Sequence, residues 1–332
     1  MLFVVLAGLG AACSGHDATT PSPASTTPPL TAPASPSAVI LNDDFGGRQL
    51  FGPANWWNED ISQAPVDTNS DAFIDVIGRA RGLHPDFGPP PFGIPYISVG
   101  GNQARVPVTF VAYGDESDAG IGGTSGYPIP DEARVRADVI EGGVPGGGPN
   151  GDRHLIIVDR DRFLLFELYA TQWNGSLGRW TADSGAAFDL SRSDRRPEGW
   201  TSADAAGLAI LPGLVRFDEV MSGREIRHAF RVTLRQTNGY VWPASHRAGA
   251  SRGALPMGAR LRLKASKDLS GFSPALQRVF RAMQTYGLIV ADNGSDMFVS
   301  GTSDARWNND ELNPAFRAVV AGDFEVVQLG WR

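Results

Sequence analysis

Residues 151–169, GDRHLIIVDRDRFLLFELY, set His154 and Glu167 beside two apolar runs, Leu155–Val158 and Phe163–Phe166. The run reads as two strands joined around Arg160 and Asp161. With Val158 facing Phe163, the antiparallel register brings His154 opposite Glu167. The second strand is apolar on both faces apart from Glu167, so it is expected to be covered on both sides. A carboxylate in such a place is costly unless it is paired or has a task. A His154–Glu167 pair can act as base and orienter, can bind a metal, or can be an ion pair that closes a strand end.

Three other groupings carry candidate chemistry. In Ile226–Val232, alternation sets His228 on the apolar face of Ile226, Phe230 and Val232, as a core histidine or, if that face meets Glu167, as a ligand-binding residue. In residues 199–219, Thr201 or Ser202 is expected to cap a short helix with Asp204 in its first turn. Asp204 is either a capping acid or the second carboxylate that glycoside hydrolysis needs beside Glu167. Asp67, Asn69 and Asp71 have the spacing of a calcium loop, but Ala72 replaces the turn glycine and Gly78 stands at the place of the bidentate acid. A capped helix explains them more simply, so no cofactor is expected and calcium is kept as an alternative. Trp56, Trp57, Trp173, Trp180, Trp200, Trp242 and Trp307 mostly fall beside Asn, Gly and Thr. Trp180, Trp200 and Trp242 are the candidates for stacking on sugar rings, against the alternative of core anchors.

Much is excluded. Residues 142–151 are glycine-rich but lack the Lys-Ser/Thr of a phosphate loop, and there is no G-x-S-x-G elbow, S-x-x-K or H-E-x-x-H motif. The single cysteine, Cys13, precedes the folded part, which therefore has no disulfide, thiolate metal site or thiol nucleophile. A net charge of −7 without a long basic cluster excludes nucleic acid as an expected partner.

The elements that must position these residues are mostly strands. The 40 glycines and 24 prolines call for many turns. Strands are expected at Tyr96–Val99, Val106–Tyr113, Leu155–Asp159, Phe163–Tyr169, Glu225–Leu234, Tyr240–Pro243 and Ala259–Lys264. Leu288–Ala291 and Met297–Ser300 read as a hairpin turned at Asn293-Gly294. Helices are expected at Asp71–Ala80 and, most clearly, at Ser273–Tyr286, capped by Ser273, opened by Pro274 and ended by Gly287. Residues 114–152 form a long Gly/Pro/Asp-rich excursion of the kind that carries function. The expected fold is mainly β with a few helices, as an antiparallel β-sandwich or jelly-roll-like core in one domain over residues 39–332.

The N-terminal MLFVVLAGLGAAC is a short apolar run ending in small residues, the pattern of a signal peptide over residues 1–12. Gly10-Ala11-Ala12-Cys13 resembles the lipobox of bacterial lipoproteins, a resemblance that implies a lipidated Cys13; ordinary cleavage near Ala12 is the alternative. Residues 13–38 are rich in Ser, Thr, Pro and Ala and read as a disordered tether. The runs WNEDISQAPVDTNSDAFI, YGDESDAG, GDRHLIIVD, GWTSADAAGLAILPGLVRFDEV, IRHAFRVTL, MGARLRLKAS and YGLIVADNGSDMFVSG resemble a broad group of secreted bacterial proteins. No activity attaches to that group, so it implies no catalytic residues.

These readings converge on an exported protein, membrane-anchored through lipid only or secreted. The expected activity is hydrolysis of an extracellular or cell-wall polysaccharide, with Glu167 as acid or base, His154 as its orienter and Asp204 as second carboxylate. The alternative is a non-catalytic lipoprotein that binds glycan or another protein, and an envelope-assembly role is the third.

Overall fold

The computed structural model describes residues 38–332. The signal peptide, Cys13 and nearly all of the tether lie outside the described residues. Among the described residues no helix is long and apolar enough to cross a membrane. The fold is mainly β, with several mixed sheets and four α-helices: α1 (Ser70–Ile77), α2 (Phe217–Met221), α3 (Pro274–Thr285) and α4 (Asn309–Arg317).

A five-stranded sheet runs in the order Ile40–Leu41, Tyr96–Val99, Leu155–Asp159, Leu164–Tyr169, Ser184–Asp189. Leu155–Asp159 and Leu164–Tyr169 form the expected antiparallel pair, with Ile156 facing Glu167 and Val158 facing Leu165. This corrects the expected register. Asp159 Oδ1 accepts the N–H groups of Asp161 and Arg162, and Phe163 takes a positive φ of 55°, so the turn holds Phe163 out of the ladder. His154 therefore falls level with Tyr169, their ring centroids 5.6 Å apart. A shift of two residues keeps the face, so His154 and Glu167 still project from the same side.

The six-stranded sheet runs Phe324–Val326, Arg260–Leu263, Leu288–Asn293, Phe230–Leu234, Phe298–Ser300, His84–Asp86. The expected hairpin is opened: Phe230–Leu234 lies between its two arms, parallel to Leu288–Asn293 and antiparallel to Phe298–Ser300. Tyr96–Val99 is likewise parallel to Leu155–Asp159. Both large sheets are thus mixed, which corrects the expectation of an antiparallel sandwich or jelly roll. Tyr240–Pro243 is no strand, and Tyr240 makes only an isolated bridge to Met257. A three-stranded sheet combines Val108–Phe110, Arg179–Ala182 and Gln172–Asn174.

Alternation divides the apolar residues of the five-stranded sheet between two cores. Ile156, Val158, Leu165 and Ala186 join the core that also contains Phe230, Val232, Leu261 and Val290 of the six-stranded sheet. Ile157, Phe166 and Leu168 face the other way, against Tyr127, Ile129, Val139, Ile140 and Trp180. Coverage of both faces is what the near-continuous apolar run of Phe163–Tyr169 predicts, and each fully buried Ile, Leu or Phe contributes about 1.5–3 kcal/mol. Helix α3 forms as expected: Ser273 Oγ accepts the Leu276 N–H, Pro274 opens the helix, and Leu276, Val279, Phe280 and Met283 are buried. It ends before Gly287 (φ 78°), where a Cβ would meet Ile61 Cδ1 and the Leu261 carbonyl, each at 2.7 Å.

Candidate functional site

Glu167 and His154 point into the core shared by the two large sheets, and what meets them there is a loop. Residues 201–215 are buried almost throughout, an unusual place for a connection, because every backbone polar group must then find a partner. Ser202 Oγ donates to the Leu208 carbonyl (2.6 Å) and accepts the Asp204 N–H (2.9 Å), while Ser184 Oγ donates to the Ser202 carbonyl (2.7 Å). The expected helix capped by Thr201 or Ser202 does not form; this side-chain turn takes its place. At Gly207 (φ 73°) a Cβ would lie 2.0 Å from Ser245 Oγ, so the loop closes only on glycine.

Glu167 is fully buried and serves this loop. Its two carboxylate oxygens accept the Ile210 N–H at 2.9 and 2.8 Å, and Oε1 accepts the Leu211 N–H at 2.9 Å. Burial pushes its carboxyl up to about 7, against the two N–H donors that favour the charge. Asp204, 1 % exposed, is held by Arg231, whose Nη2 donates to Oδ1 at 2.8 Å and whose Nε lies 3.3 Å from Oδ2. Arg231 also donates to Ser300 Oγ at 2.6 Å and lies 3.6 Å from Asp292. Burial, and then the charge of Asp204, push Asp292 up to about 6.

His154 pairs with Glu141, not Glu167. Its Nδ1 is 2.6 Å from Glu141 Oε2, and its Nε2–H donates to the Ala203 carbonyl at 3.1 Å. Burial of the ring works against its charge, but Glu141 outweighs this and holds the imidazolium up to about 9. Glu141 comes from the end of the 114–152 excursion, so only the three-dimensional structure could reveal it. Asp152 stands beside the pair, exposed, next to Arg153 in a left-handed conformation (φ 50°). One ligand atom from each of Glu141, Asp152 and His154 lies within 4.8 Å of the others, a group with the donor set to hold a metal ion. His154, Glu167 and Asp204 therefore do converge, yet Glu167 and Asp204 are sealed from any substrate. This geometry contradicts their assignment as catalytic carboxylates.

His228 belongs to a different centre. It lies in the loop before the Phe230–Leu234 strand and lines a cavity of about 740 Å³ with Asp44, Gln49, Arg216, Asp218 and Glu219. His228 Nε2 is 2.8 Å from Glu219 Oε2, and its Nδ1 donates to the Ala229 carbonyl at 2.9 Å. Arg216 Nη2 contacts Glu219 Oε1 at 2.7 Å, and its buried Nε, which has no hydrogen-bond partner, lies 3.6 Å from Asp218 Oδ1. Helix α2 brings both acids to the cavity. Burial would raise Glu219, but Arg216 and then His228 outweigh it and hold the carboxyl down to about 2. Burial raises Asp218, with Glu219 adding to the effect. The side chains remain accessible, 19 % exposed for Asp218 and 23 % for Glu219.

No protein-family model, curated protein or solved structure matches the chain.

The remaining candidates have other duties. Trp180 is buried in the second core against Trp173; Trp200 stacks on Arg196; Trp242 packs on Trp56 between Arg195 and Arg332. None of the three lines the 740 Å³ cavity. Trp56, Trp57 and Trp307 are buried as well. At the calcium-like spacing, Asp67 accepts the Asn69 and Leu329 N–H groups, and Arg79 pairs with both Asp71 and Asp75. The positive charge beside Asp71 is supplied by the chain. Asn69 precedes α1 without a side-chain cap bond. Asp218 and Glu219 stand in the sequence as Phe-Asp-Glu-Val beside Arg216, a signal for a short acidic helix start but not for a cavity.

Proposed function

We propose that this is an exported carbohydrate-active hydrolase whose active site is the 740 Å³ cavity. Asp218 is the general acid and Glu219 the base or nucleophile. The observation that carries the reading is that both accessible carboxylates of α2 meet in one cavity while contacting the same guanidinium, Arg216. Two such contacts keep the carboxyl groups within the separation of up to roughly 9.5 Å over which paired acids cleave glycosidic bonds. Their environments also differ in the required sense: Asp218 is biased toward its proton and Glu219 toward its charge. His228 and Arg216 hold Glu219 ionised, and Gln49, Asp44 and Arg306 offer donors and acceptors suited to hydroxyl groups. Arg306 also lines a second cavity of about 660 Å³, bordered by Pro90, Pro91 and Pro95, which suits a chain of sugars over a single one.

Export rests on the signal-like N-terminus and on the resemblance to secreted bacterial proteins. Lipidation at Cys13 leaves the folded part tethered to a membrane surface, and a Cys13→Ser variant released into the medium would establish that tether. Calcium at Asp67 has no place in this reading, given the hydrogen bonds and the Arg79 pairs there.

The test is a panel of polysaccharides offered to the purified protein, scored for product release and for binding. Asp218→Asn and Glu219→Gln should each lower turnover by about 10²–10⁴-fold with the near-ultraviolet circular dichroism unchanged. Turnover retained in both variants overturns the catalytic assignment. Binding without turnover in the wild type, undiminished in Asp218→Asn, favours the second reading. That is a glycan-binding lipoprotein, for which the mixed Arg and acid lining of the same cavity is the supporting observation.

A further inference from the structure

We infer that Glu141, Asp152 and His154 form a second site, independent of the proposed hydrolase cavity, that binds one divalent cation of the zinc or manganese class. His154 Nε2 faces the Ala203 carbonyl at 3.1 Å, and a carbonyl can only accept, so that nitrogen carries a hydrogen. Nδ1 faces the Glu141 carboxylate at 2.6 Å, so a cation taken up there displaces the proton that Nδ1 shares with Glu141. A histidine whose second nitrogen donates to a backbone carbonyl while the first faces acid groups has the arrangement that fixes the tautomer and the ring plane of a metal ligand. The supporting carbonyl belongs to the buried loop, outside the ligand group, and the ring is only 3 % exposed, so its orientation is set before any ion arrives.

The three ligands differ in mobility in a way that suits capture. His154 is fixed in the interior, Glu141 is half-buried at the end of the excursion, and Asp152 is exposed. Arg153, between two of them, is in a left-handed conformation uncommon for a residue with a side chain. Its cost is offset by backbone bonds from Ala170 N–H to the Asp152 carbonyl (2.8 Å) and from Thr171 N–H to the Arg153 carbonyl (3.2 Å). Ordinary ligand distances of about 2.0–2.2 Å put two ligand atoms of a tetrahedral site roughly 3.3 Å apart. The Nδ1···Oε2 contact of 2.6 Å must therefore widen slightly, and Asp152 must close in from the separations of up to 4.8 Å seen here. Both movements fall to the two carboxylates on loops.

The donor set selects the ion. An imidazole nitrogen with two carboxylates suits zinc or manganese, whereas calcium asks for six to eight oxygens. Three protein ligands with Asp152 at the surface leave the remaining positions to water. The ion would tie the end of the 114–152 excursion, through Glu141, to the entry of the Leu155–Asp159 strand.

Equilibrium dialysis and calorimetry on the purified protein, stripped with chelator and carrying no histidine tag, test this with Zn²⁺, Mn²⁺, Ca²⁺ and Mg²⁺. The expected result is one equivalent of Zn²⁺ or Mn²⁺ bound, with Ca²⁺ and Mg²⁺ at least tenfold weaker. Asp152→Asn removes an exposed ligand with little risk to folding, and should weaken Zn²⁺ binding by tenfold or more. Co²⁺ substituted for Zn²⁺ should give a visible absorption band in the wild type that is lost in Asp152→Asn. Absence of binding, binding unchanged in Asp152→Asn, or a preference for Ca²⁺ overturns the proposal. Because Asp218 and Glu219 are untouched in this experiment, its failure leaves the hydrolase reading standing, and the reverse holds as well.

Discussion

Among the described residues, the two histidine–glutamate pairs at hydrogen-bond distance are made from the same parts. In each, one ring nitrogen meets a carboxylate and the other a backbone carbonyl: Glu141 and Ala203 for His154, Glu219 and Ala229 for His228. Their surroundings differ. Around His154, Glu167 and Asp204 are spent on fixing a buried loop, and only Glu141, Asp152 and Asp292 reach toward solvent. Around His228, a guanidinium joins the ring at one carboxylate, and both acids open into a cavity. The lesson is that a buried acid is not by itself a catalytic acid. What separates the two centres is whether the hydrogen bonds already made leave the carboxylate anything further to do.

The largest effect should come from breaking the sealed centre. Asp204→Ala leaves the Arg231 guanidinium buried, with Asp292 at 3.6 Å as its nearest remaining acid. Removing one member of a buried pair costs about 3–5 kcal/mol, read as a fall in the urea midpoint. Asp218→Asn, at the open centre, should move that midpoint by no more than about 0.5 kcal/mol, as for most surface substitutions. Equal losses at the two sites would erase the distinction between them.

Next come opposite slopes with pH. Glu167 titrates at about 7 when folded, above its ordinary 4.5, so the folded state holds a proton that the unfolded chain has lost. Its contribution is fully present below pH 4.5 and is lost as pH rises through about 7, by up to about 3 kcal/mol. Glu219 titrates at about 2, so its contribution is present above pH 4.5 and is lost as pH falls toward 2, by a similar amount. Stability measured against pH for the wild type, Glu167→Gln and Glu219→Gln should give difference curves of opposite sign. Two curves of the same sign would show that the environments are not distinct in the way described.

Parts of this contrast were legible in the sequence. The apolar run Phe163–Tyr169 identified Glu167 as a buried acid, and period-two alternation set His154 on its face. The Ser273-Pro274 start and the Gly287 stop gave α3 nearly to the residue. What escaped has a physical reason in each case. Register depends on where the turn closes, and Asp159 capped it one residue later than Arg160-Asp161 suggests. The strand Phe230–Leu234 inserted itself between the arms of an apparent hairpin, because non-local pairing leaves no local mark. The short helix expected after Thr201 or Ser202, with Asp204 in its first turn, became part of a buried loop, since the interior acceptors and donors from Glu167, Arg231 and Ser184 outweighed helix formation. Glu141 and Arg216 lie far along the chain from the histidines they serve or beside acids that mask them, and no spacing rule joins them.

The smallest effect is the comparison of the histidines themselves. In His154→Gln, Glu141 loses its only counter-charge within 4 Å among the described residues, and the Ala203 carbonyl loses its donor. The second loss is in the interior, where an unmet polar group costs about 1–3 kcal/mol. In His228→Gln, Glu219 keeps Arg216 at 2.7 Å, and the glutamine amide can still donate to its other oxygen. The expected cost there is about 1 kcal/mol or less, measured by urea unfolding at pH 7, where loss of the ring also leaves the Arg216 pair carrying the charge of Glu219. A loss at His228 as large as that at His154 would mean that the open centre depends on its histidine for structure, and that Arg216 alone does not hold Glu219 in place.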